Sequence, residues 1–156
     1  MSAHIAAVVR SVRIGLSQAE AFELFTTGLD VWWPFKDHSC TDDSAAIVRF
    51  DGRVGGQVTE MTPGGSTSHV WGTITSWDPP DHFAMTWQPG QSPGQSTRLS
   101  VRFRQEGGDC VVELTHDGWE SRGDQAKSAR ENYDEGWPTV LAQFAAAATR
   151  KTAHPS

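Results

Sequence analysis

The chain has 156 residues and a formal net charge of -6, and its 13 lysines and arginines are scattered along the sequence. This length predicts one domain, residues 1–156, with a sizeable core, and the charge pattern argues against a nucleic-acid-binding protein. Only two cysteines are present, no signal peptide is recognisable and no apolar run approaches the roughly 20 residues that span a bilayer, so we expect a cytoplasmic protein without membrane insertion.

The N-terminal part predicts one strand followed by two short helices. The segment 4–14 is rich in Val, Ile and Ala, which is typical of a strand. Ser17 precedes Glu20 by three positions, the spacing of a capping box, so a helix is expected to begin there. Gly28 interrupts the helical pattern. The sequence therefore predicts a break at Gly28 and a second short helix through Trp33.

The polar segment 35–44 contains four potential metal ligands: His38, Cys40, Asp42 and Asp43. A His-x-Cys pair without a second Cys or His pair nearby lacks the four-ligand set of a structural zinc site. The later Gly55-Gly56 pair belongs to neither phosphate-binding glycine motif and no helix follows it. We therefore expect neither a metal nor a cofactor.

Six further strands are expected: 45–50, 54–61, the two arms of a hairpin between Thr67 and Trp87, 97–105 and 109–117. In the second arm of the hairpin, period two places three large apolar residues on one side: Phe83, Met85 and Trp87. The first arm divides into one side with Gly72 and Ile74 and another with Trp71, Thr73, Thr75 and Trp77. Which of these two sides faces inward is left open, because a bulge could reverse it.

The last two strands and the C-terminal helix have clear apolar faces. The strand 97–105 turns Leu99, Val101 and Phe103 inward, and the strand 109–117 places His116 at the end of an inward row that begins with Cys110, Val112 and Leu114. Residues 126–148 carry a helical apolar stripe: Tyr133, Trp137, Val140, Leu141, Phe144 and Ala148. Gly136 and Pro138 predict either a kink near Glu135 or a helix that begins there.

This order of elements is the α+β helix-grip arrangement, and several short motifs carry a family resemblance. They are Ser17 to Phe22, Trp32-Trp33-Pro34, Arg53-Val54-Gly55-Gly56, Gly72-Thr73-Ile74, Asp78-Pro79-Pro80, Thr86-Trp87, Leu114 to Trp119, and Gly136-Trp137 with Leu141 and Phe144. The chain resembles the START-like (SRPBCC, Bet v 1-like) superfamily, in the branch related to the C-terminal domain of the activator of heat-shock protein 90 ATPase. The resemblance implies a curved seven-stranded antiparallel sheet wrapped around a long C-terminal helix, with two short helices between strands 1 and 2. It also implies a cavity between sheet and helix that in many relatives binds an apolar small molecule.

The favoured hypothesis is therefore binding of a hydrophobic small molecule: a lipid, a sterol or an aromatic, polyketide-like compound. Seven Trp and seven Phe in one chain suit an aromatic-lined cavity, for which a volume of about 300–1,000 Å³ would be typical. The candidate wall residues are Trp33, Trp71, Met85, Trp87, Phe103, His116, Tyr133 and Trp137.

Two alternatives stay open. The chain could be a cyclase, dehydratase or hydrolase in which His116 acts as general base, oriented by Tyr133, Asp134 or Glu135. A single inward histidine is more often a hydrogen-bonded core residue, so no catalytic residue is assigned. The chain could instead be a chaperone-cofactor-like interaction module, with a homodimer as one form, although direct contact with the chaperone is not expected. Tryptophans exposed on the outer face would favour this last reading.

Overall fold

The computed structural model of the protein describes residues 7–32, 47–61, 68–87 and 96–153. Its elements, in chain order, are β1 (Val8–Ile14), α1 (Gln18–Phe25), α2 (Leu29–Trp32), β2 (Ile47–Phe50), β3 (Gln57–Met61), β4 (Ser68–Asp78), β5 (His82–Trp87), β6 (Thr97–Glu106), β7 (Asp109–Asp117), a 3-10 helix (Trp119–Gln125) and α3 (Ala126–Ala153). The strands form one seven-stranded antiparallel sheet in the order β1-β7-β6-β5-β4-β3-β2. The predicted helix-grip fold is confirmed.

Helix α1 begins at the predicted cap. The Ser17 hydroxyl accepts a hydrogen bond from the backbone N–H of Glu20 at 3.2 Å and donates one to the Glu20 carboxylate at 3.0 Å. The Glu20 carboxylate therefore accepts from the side chain of the capping residue, whereas in a capping box it would accept from the backbone N–H of that residue. Helix α2 is held against α1 by the indole N–H of Trp32, which donates to the carbonyl of Leu24 at 2.8 Å. Trp33 lies outside the described residues.

The inward side of β4, which the sequence left open, is decided by two irregularities in the strand register. One shift lies in the pairing with β3, next to Trp71, and the other lies in the pairing with β5, between Ile74 and Ser76. Ile74 consequently lies opposite Met85, and Trp77 lies opposite Phe83. Residues directly opposite each other share a face of the sheet. Gly72 lies opposite the buried Val58 in the same way, and Trp71, beside it at the first shift, is buried. The inward residues of β4 are therefore Trp71, Gly72, Ile74 and Trp77.

Two predicted boundaries need correction. β3 begins at Gln57, not at residue 54, so Gly55 and Gly56 precede the strand and do not lie inside it. Gly55 has a φ of 86°, and a side-chain carbon at Gly56 would overlap the carbonyl oxygen of Asp51, so the glycine pair forms a tight approach before the strand. α3 begins at Ala126 and continues through Pro138, so the expectation of a helix beginning near Glu135 is wrong.

The core lies between the inner face of the sheet and the helices. All of the inward residues predicted in β6 and β7 are buried, and the stripe of α3 is buried from Trp137 to Ala148. Phe144 reaches across to Phe25 and Trp32, with ring centroids 5.1 and 5.2 Å apart. Each large side chain buried in this way stabilises the fold by about 1.5–3 kcal/mol. Within the described ranges, no helix combines the length and apolar character needed to cross a membrane.

Candidate ligand-binding site

A cavity of about 10 Å³ lies between the sheet and the helices. Four of the predicted wall residues line it: Trp71, Met85, Trp87 and Trp137. The rest of its wall is Phe25, Leu29, Phe50, Val58, Phe83 and Leu99. The wall is apolar throughout, and the space holds about one water molecule. The described part of the chain therefore does not contain, at this position, the much larger cavity that the sequence led us to expect.

The other predicted wall residues lie elsewhere. Phe103 is buried in a cluster of phenylalanine rings with Phe22, Phe25 and Phe83. His116 and Tyr133 lie behind the cavity wall, where their rings contact each other at a centroid distance of 4.7 Å. Trp33 belongs to the residues that the structure does not describe. The ligand site as a whole stays a prediction.

The three indoles in the cavity wall share one arrangement. Trp71 donates its indole N–H to the Glu60 carboxylate at 3.2 Å, and Trp87 donates to the Tyr133 hydroxyl at 3.2 Å. Trp137 donates to Nδ1 of His116 at 3.0 Å. None of the three acceptors lines the cavity. The N–H edge of each ring is therefore turned away from the cavity, and the apolar part of the ring faces it.

His116 is fully buried, and both of its ring nitrogens take part in hydrogen bonds. Because Nδ1 accepts from Trp137, the ring proton must be on Nε2, which lies 2.6 Å from Oγ1 of Thr97. The Thr97 hydroxyl in turn donates to the backbone carbonyl of Trp87 at 3.0 Å. In this state the imidazole is neutral and has no lone pair available to take a proton from a substrate.

Two of the three groups expected to orient His116 as a base have other partners. The Tyr133 hydroxyl accepts from Trp87, and Asp134 forms a 2.5 Å ion pair with Arg10. Glu135 is exposed on α3. The indole of Trp119 packs against the imidazole with ring centroids 4.2 Å apart, and its N–H is buried without a hydrogen-bond partner. The arrangement around His116 is that of a hydrogen-bonded core residue.

The sequence interpretation missed two buried polar residues beside the cavity. Glu60 is fully buried on β3, and Thr97 is 1% exposed on β6. Both follow from alternations that the sequence contains: Glu60 lies two residues after inward Val58, and Thr97 lies two residues before inward Leu99. Extending the inward rows by one step would have found them.

The outer side of the sheet has a different character. An open groove of about 660 Å³ is lined mainly by polar side chains, among them Gln18, Asp81, His82 and Arg102. Partial burial lowers the pKa of His82 below its ordinary value, and the neighbouring Arg102 lowers it further. Nε2 of His82 lies 2.9 Å from the Ser100 hydroxyl. This groove does not suit a hydrophobic ligand.

The cysteine and metal-binding side chains give no second site in the described ranges. Burial raises the pKa of the Cys110 thiol, so this cysteine is a protonated core residue and not a nucleophile. No group of three or more His, Cys, Asp or Glu side chains comes together there to hold a metal ion. The potential ligands His38, Cys40, Asp42 and Asp43 lie outside the residues that the structure describes.

The sheet that clasps α3, with an apolar cavity between them, defines a protein of the START-like (SRPBCC, Bet v 1-like) class. The family described as "Activator of Hsp90 ATPase homolog 1-like protein" matches residues 16–149. The chain belongs to this family. The family resemblance inferred from the sequence is therefore confirmed.

Three solved structures show how the chain relates to known proteins. It is 33% identical to the anthrahydroquino-gamma-pyrone synthase Txn09, solved as a complex with SUM, over 93% of this chain and 98% of that one, with a TM-score of 0.64. It is 24% identical to the self-sacrificing resistance protein CalC from Micromonospora echinospora, over 94% and 96%, with a TM-score of 0.68. It is 17% identical to the Aha1 dimer from Colwellia psychrerythraea, over 92% and 96%, with a TM-score of 0.63. The last two show the fold alone. A search of curated proteins found no match.

Proposed function

We propose that this protein binds a planar, fused-ring aromatic molecule of the polyketide type between the inner face of the sheet and α3. The observation that carries the proposal is the cavity wall itself. It is apolar throughout, and three of its ten members are indoles held with their N–H edges turned away from the cavity. Rings that present apolar faces in fixed orientations are suited to pack against another flat ring system.

Two arguments favour an aromatic ligand over a lipid or a sterol. Stacked and edge-to-face ring pairs contribute about 0.5–1.5 kcal/mol beyond the burial of their area, a gain that an aliphatic ligand lacks. The similarity at 33% identity to a synthase whose name contains an anthrahydroquinone fused to a pyrone supports a ligand of that ring type.

The size of the cavity sets a condition on this binding. A space of about 10 Å³ cannot admit a three-ring molecule, which needs a pocket of roughly 300 Å³ or more. Binding must therefore use a state of the interior in which wall side chains have moved. If that state is 1% populated, the apparent affinity is about 100-fold weaker than the intrinsic affinity.

Quenching of tryptophan fluorescence tests the proposal directly, because three tryptophans line the site. We expect saturable quenching by hydroxylated anthraquinones and weaker responses to a fatty acid and a sterol. Val58→Phe, which adds a ring to the cavity wall, should weaken binding at least tenfold. Val111→Phe, on the outer face of β7, is the matched control and should leave binding unchanged. Absence of saturable quenching by every class, or equal binding by both variants, would contradict the proposal.

A second candidate function, an enzyme acting on the same kind of molecule, is favoured by the similarity to the synthase. His116 would not be its base in the observed hydrogen-bonded state, because neither nitrogen has an available lone pair. Mass spectrometry of aromatic polyketide precursors incubated with the protein tests this candidate: a new product that depends on the folded protein supports it. If the precursors bind but are recovered unchanged, the enzyme candidate is contradicted and only the binding function is supported.

The interaction-module hypothesis gains no support from the described residues. All of the tryptophans there are buried except Trp77, which is half-buried and packs against the core. We also propose that the protein works in the cytoplasm, as its composition predicts, and fractionation of the host cell would test this location.

A further inference from the structure

The outer face of the sheet brings a histidine and a serine together. His82 on β5 and Ser100 on β6 lie on this face, because the residues next to them along each strand are buried on the inner one. The two strands are neighbours, and Nε2 of His82 lies 2.9 Å from the Ser100 hydroxyl oxygen. Both side chains are half-buried. A hydroxyl within about 2.6–3.2 Å of an imidazole nitrogen is placed to give that nitrogen its proton.

Two charged residues flank the imidazole on the same row of the sheet. Asp78 on β4 lies directly opposite His82 on one side, and Arg102 on β6 lies directly opposite it on the other. Partial burial and the charge of Arg102 lower the pKa of His82, whereas the charge of Asp78 raises it. The net effect is a lowered pKa, so the imidazole is neutral at pH 7 and can accept a proton.

Arg102 differs from the other arginines on the outer face of β6. Arg98 forms an ion pair with Asp117, and Arg104 forms one with Glu106. The Arg102 guanidinium is exposed and has neither a hydrogen bond nor an ion pair within the described part of the chain. This guanidinium can therefore turn to a negative charge that develops nearby.

These residues border the open groove of about 660 Å³ on the outer side of the sheet. Asp78, His82 and Arg102 belong to its wall, and Ser100 adjoins that wall through its contact with His82. The groove also contains Asp81, whose carboxylate accepts from the Gln18 amide at 2.7 Å. A volume in this range is typical of a site for a small molecule.

We propose that Ser100 and His82 form a nucleophile–base pair that hydrolyses small carboxylic esters in this groove. Ser100 attacks the ester, and His82 takes the serine proton. Arg102 stabilises the negative charge that forms on the carbonyl oxygen, and Asp78 stabilises the imidazolium. The groove lies on the opposite face of the sheet from the apolar cavity, so this inference goes beyond the proposed function and does not depend on it.

The reaction consumes only the ester and water. The Ser100 oxygen bonds to the carbonyl carbon while its proton moves to Nε2 of His82. The bond between that carbon and the leaving oxygen then breaks, and the imidazolium returns the proton to the leaving alcohol. Water next attacks the acyl group on Ser100 and gives a proton to His82. The bond to Ser100 breaks, the serine oxygen recovers that proton, and the products are a carboxylic acid and an alcohol.

Hydrolysis of p-nitrophenyl acetate, corrected for the rate without protein, tests the pair. Wild-type protein should react at least tenfold faster than Ser100→Ala, and mass spectrometry of peptides from acid-quenched protein should find an acetyl group on Ser100. Ser76→Ala is the matched control, because Ser76 is a half-buried serine on the outer face of β4 that makes no hydrogen bond with His82. It should keep the wild-type rate. His82→Gln, which can accept a hydrogen bond but not a proton at this pH, should also lose at least tenfold.

The pH dependence of the rate identifies the base. The wild-type rate should level off by about pH 7, because the pKa of His82 lies below its ordinary value of about 6.5. Asp78→Asn should lower the pH of half-maximal rate, since it removes the charge that raises this pKa. Arg102→Gln should raise that pH, since it removes a charge that lowers the pKa, and should slow the reaction about tenfold by removing the cation beside the carbonyl oxygen.

Three results would overturn the proposal. Equal rates in Ser100→Ala and Ser76→Ala would leave the contact between Ser100 and His82 as a surface hydrogen bond, and so would acetyl groups found only at other positions. A pH midpoint that moves in neither charge variant would mean that His82 is not the base. If Ser100→Ala does not fold, the position of the acetyl group on wild-type protein decides between the two interpretations.

Discussion

Replacing His116 with alanine should destabilise the protein by about 3–6 kcal/mol. The imidazole is fully buried, and removing a side chain of this size from a core typically costs about 2–5 kcal/mol. The change also removes the acceptor of the Trp137 N–H and one of the hydrogen bonds of the Thr97 hydroxyl, which keeps its bond to the Trp87 carbonyl. A buried donor left unsatisfied costs about 1–3 kcal/mol, and part of this overlaps with the cavity cost.

Urea unfolding followed by far-ultraviolet circular dichroism measures this loss without depending on the tryptophans. His82→Ala is the matched control, because His82 lies on the outer face and is only partly buried, so we expect it to cost under about 1 kcal/mol. Trp137→Phe removes the N–H donor to His116. The cycle formed by the two core variants should show a coupling free energy of about 1 kcal/mol, the size of one hydrogen bond.

Two results would refute this reasoning. A cost below about 1 kcal/mol for His116→Ala would mean that the network does not hold the core together. Strict additivity of His116→Ala and Trp137→Phe would mean that the Nδ1 bond contributes nothing. Either result would reopen the interpretation of His116 as a group kept for chemistry.

Three further predictions concern other residues. Because burial lowers the pKa of His82, the unfolded chain binds more protons than the folded protein as the pH falls below roughly 6.5. Between about pH 7 and pH 5 the unfolding free energy should therefore fall more steeply in wild type than in His82→Gln. Parallel urea-unfolding profiles of the two proteins would contradict this. In a Cys40→Ala background, Cys110 should react with a thiol reagent at least about 1,000-fold more slowly in native than in urea-unfolded protein, and comparable rates would disprove its burial. Gly72→Ala should cost several kcal/mol, about 3 or more in urea unfolding, because its new carbon would overlap the backbone of β5, whereas Gly108→Ala, which meets nothing within 4 Å, should be close to neutral.

The sequence predicted the fold well where residue patterns are local. β6 and β7 are interior strands of the sheet without irregularities in their mutual pairing, so strict period-two alternation gave their inward faces correctly, including that of His116. The stripe on α3 was equally clear, because a helix docked on a sheet needs apolar residues at fixed spacing. In both cases the burial of a residue follows from its spacing along a single strand or helix, and that spacing can be read from the sequence.

β4 shows where this reasoning ends. Its inward residues Trp71, Gly72, Ile74 and Trp77 follow neither period two nor the helical period, because the strand has separate register shifts toward its two neighbours. Such shifts depend on how β3 and β5 fit against it, and no local pattern encodes them. The sequence could state only that a bulge would change the inward side.

The hydrogen bonds behind the cavity could not be predicted for a related reason. The indoles of Trp71, Trp87 and Trp137 find acceptors that are 11, 46 and 21 residues away in the chain. Each pair meets because two elements pack together, so its geometry is a product of the fold. The residue types were visible in the sequence, and their pairing was not.

The small cavity indicates which part of the interior a ligand would open. On one side, Trp87 and Trp137 are fixed by hydrogen bonds to Tyr133 and His116, so moving them breaks polar contacts. Another part of the wall is formed by apolar side chains of α1, α2 and β2, which can shift without losing a hydrogen bond of their own. Phe50 of β2 lies directly opposite Val58, on the side of the cavity where Glu60 and Trp71 are paired.

We therefore expect space for the ligand to come from the α1, α2 and β2 side, next to Glu60. Hydrogen exchange with and without 2-hydroxyanthraquinone should show altered amide protection in residues 18–32 and 47–50 and little change around Tyr133 and Trp137. Ligand-dependent changes confined to α3 would contradict this, because they would mean that the hydrogen-bonded side gives way before the apolar one.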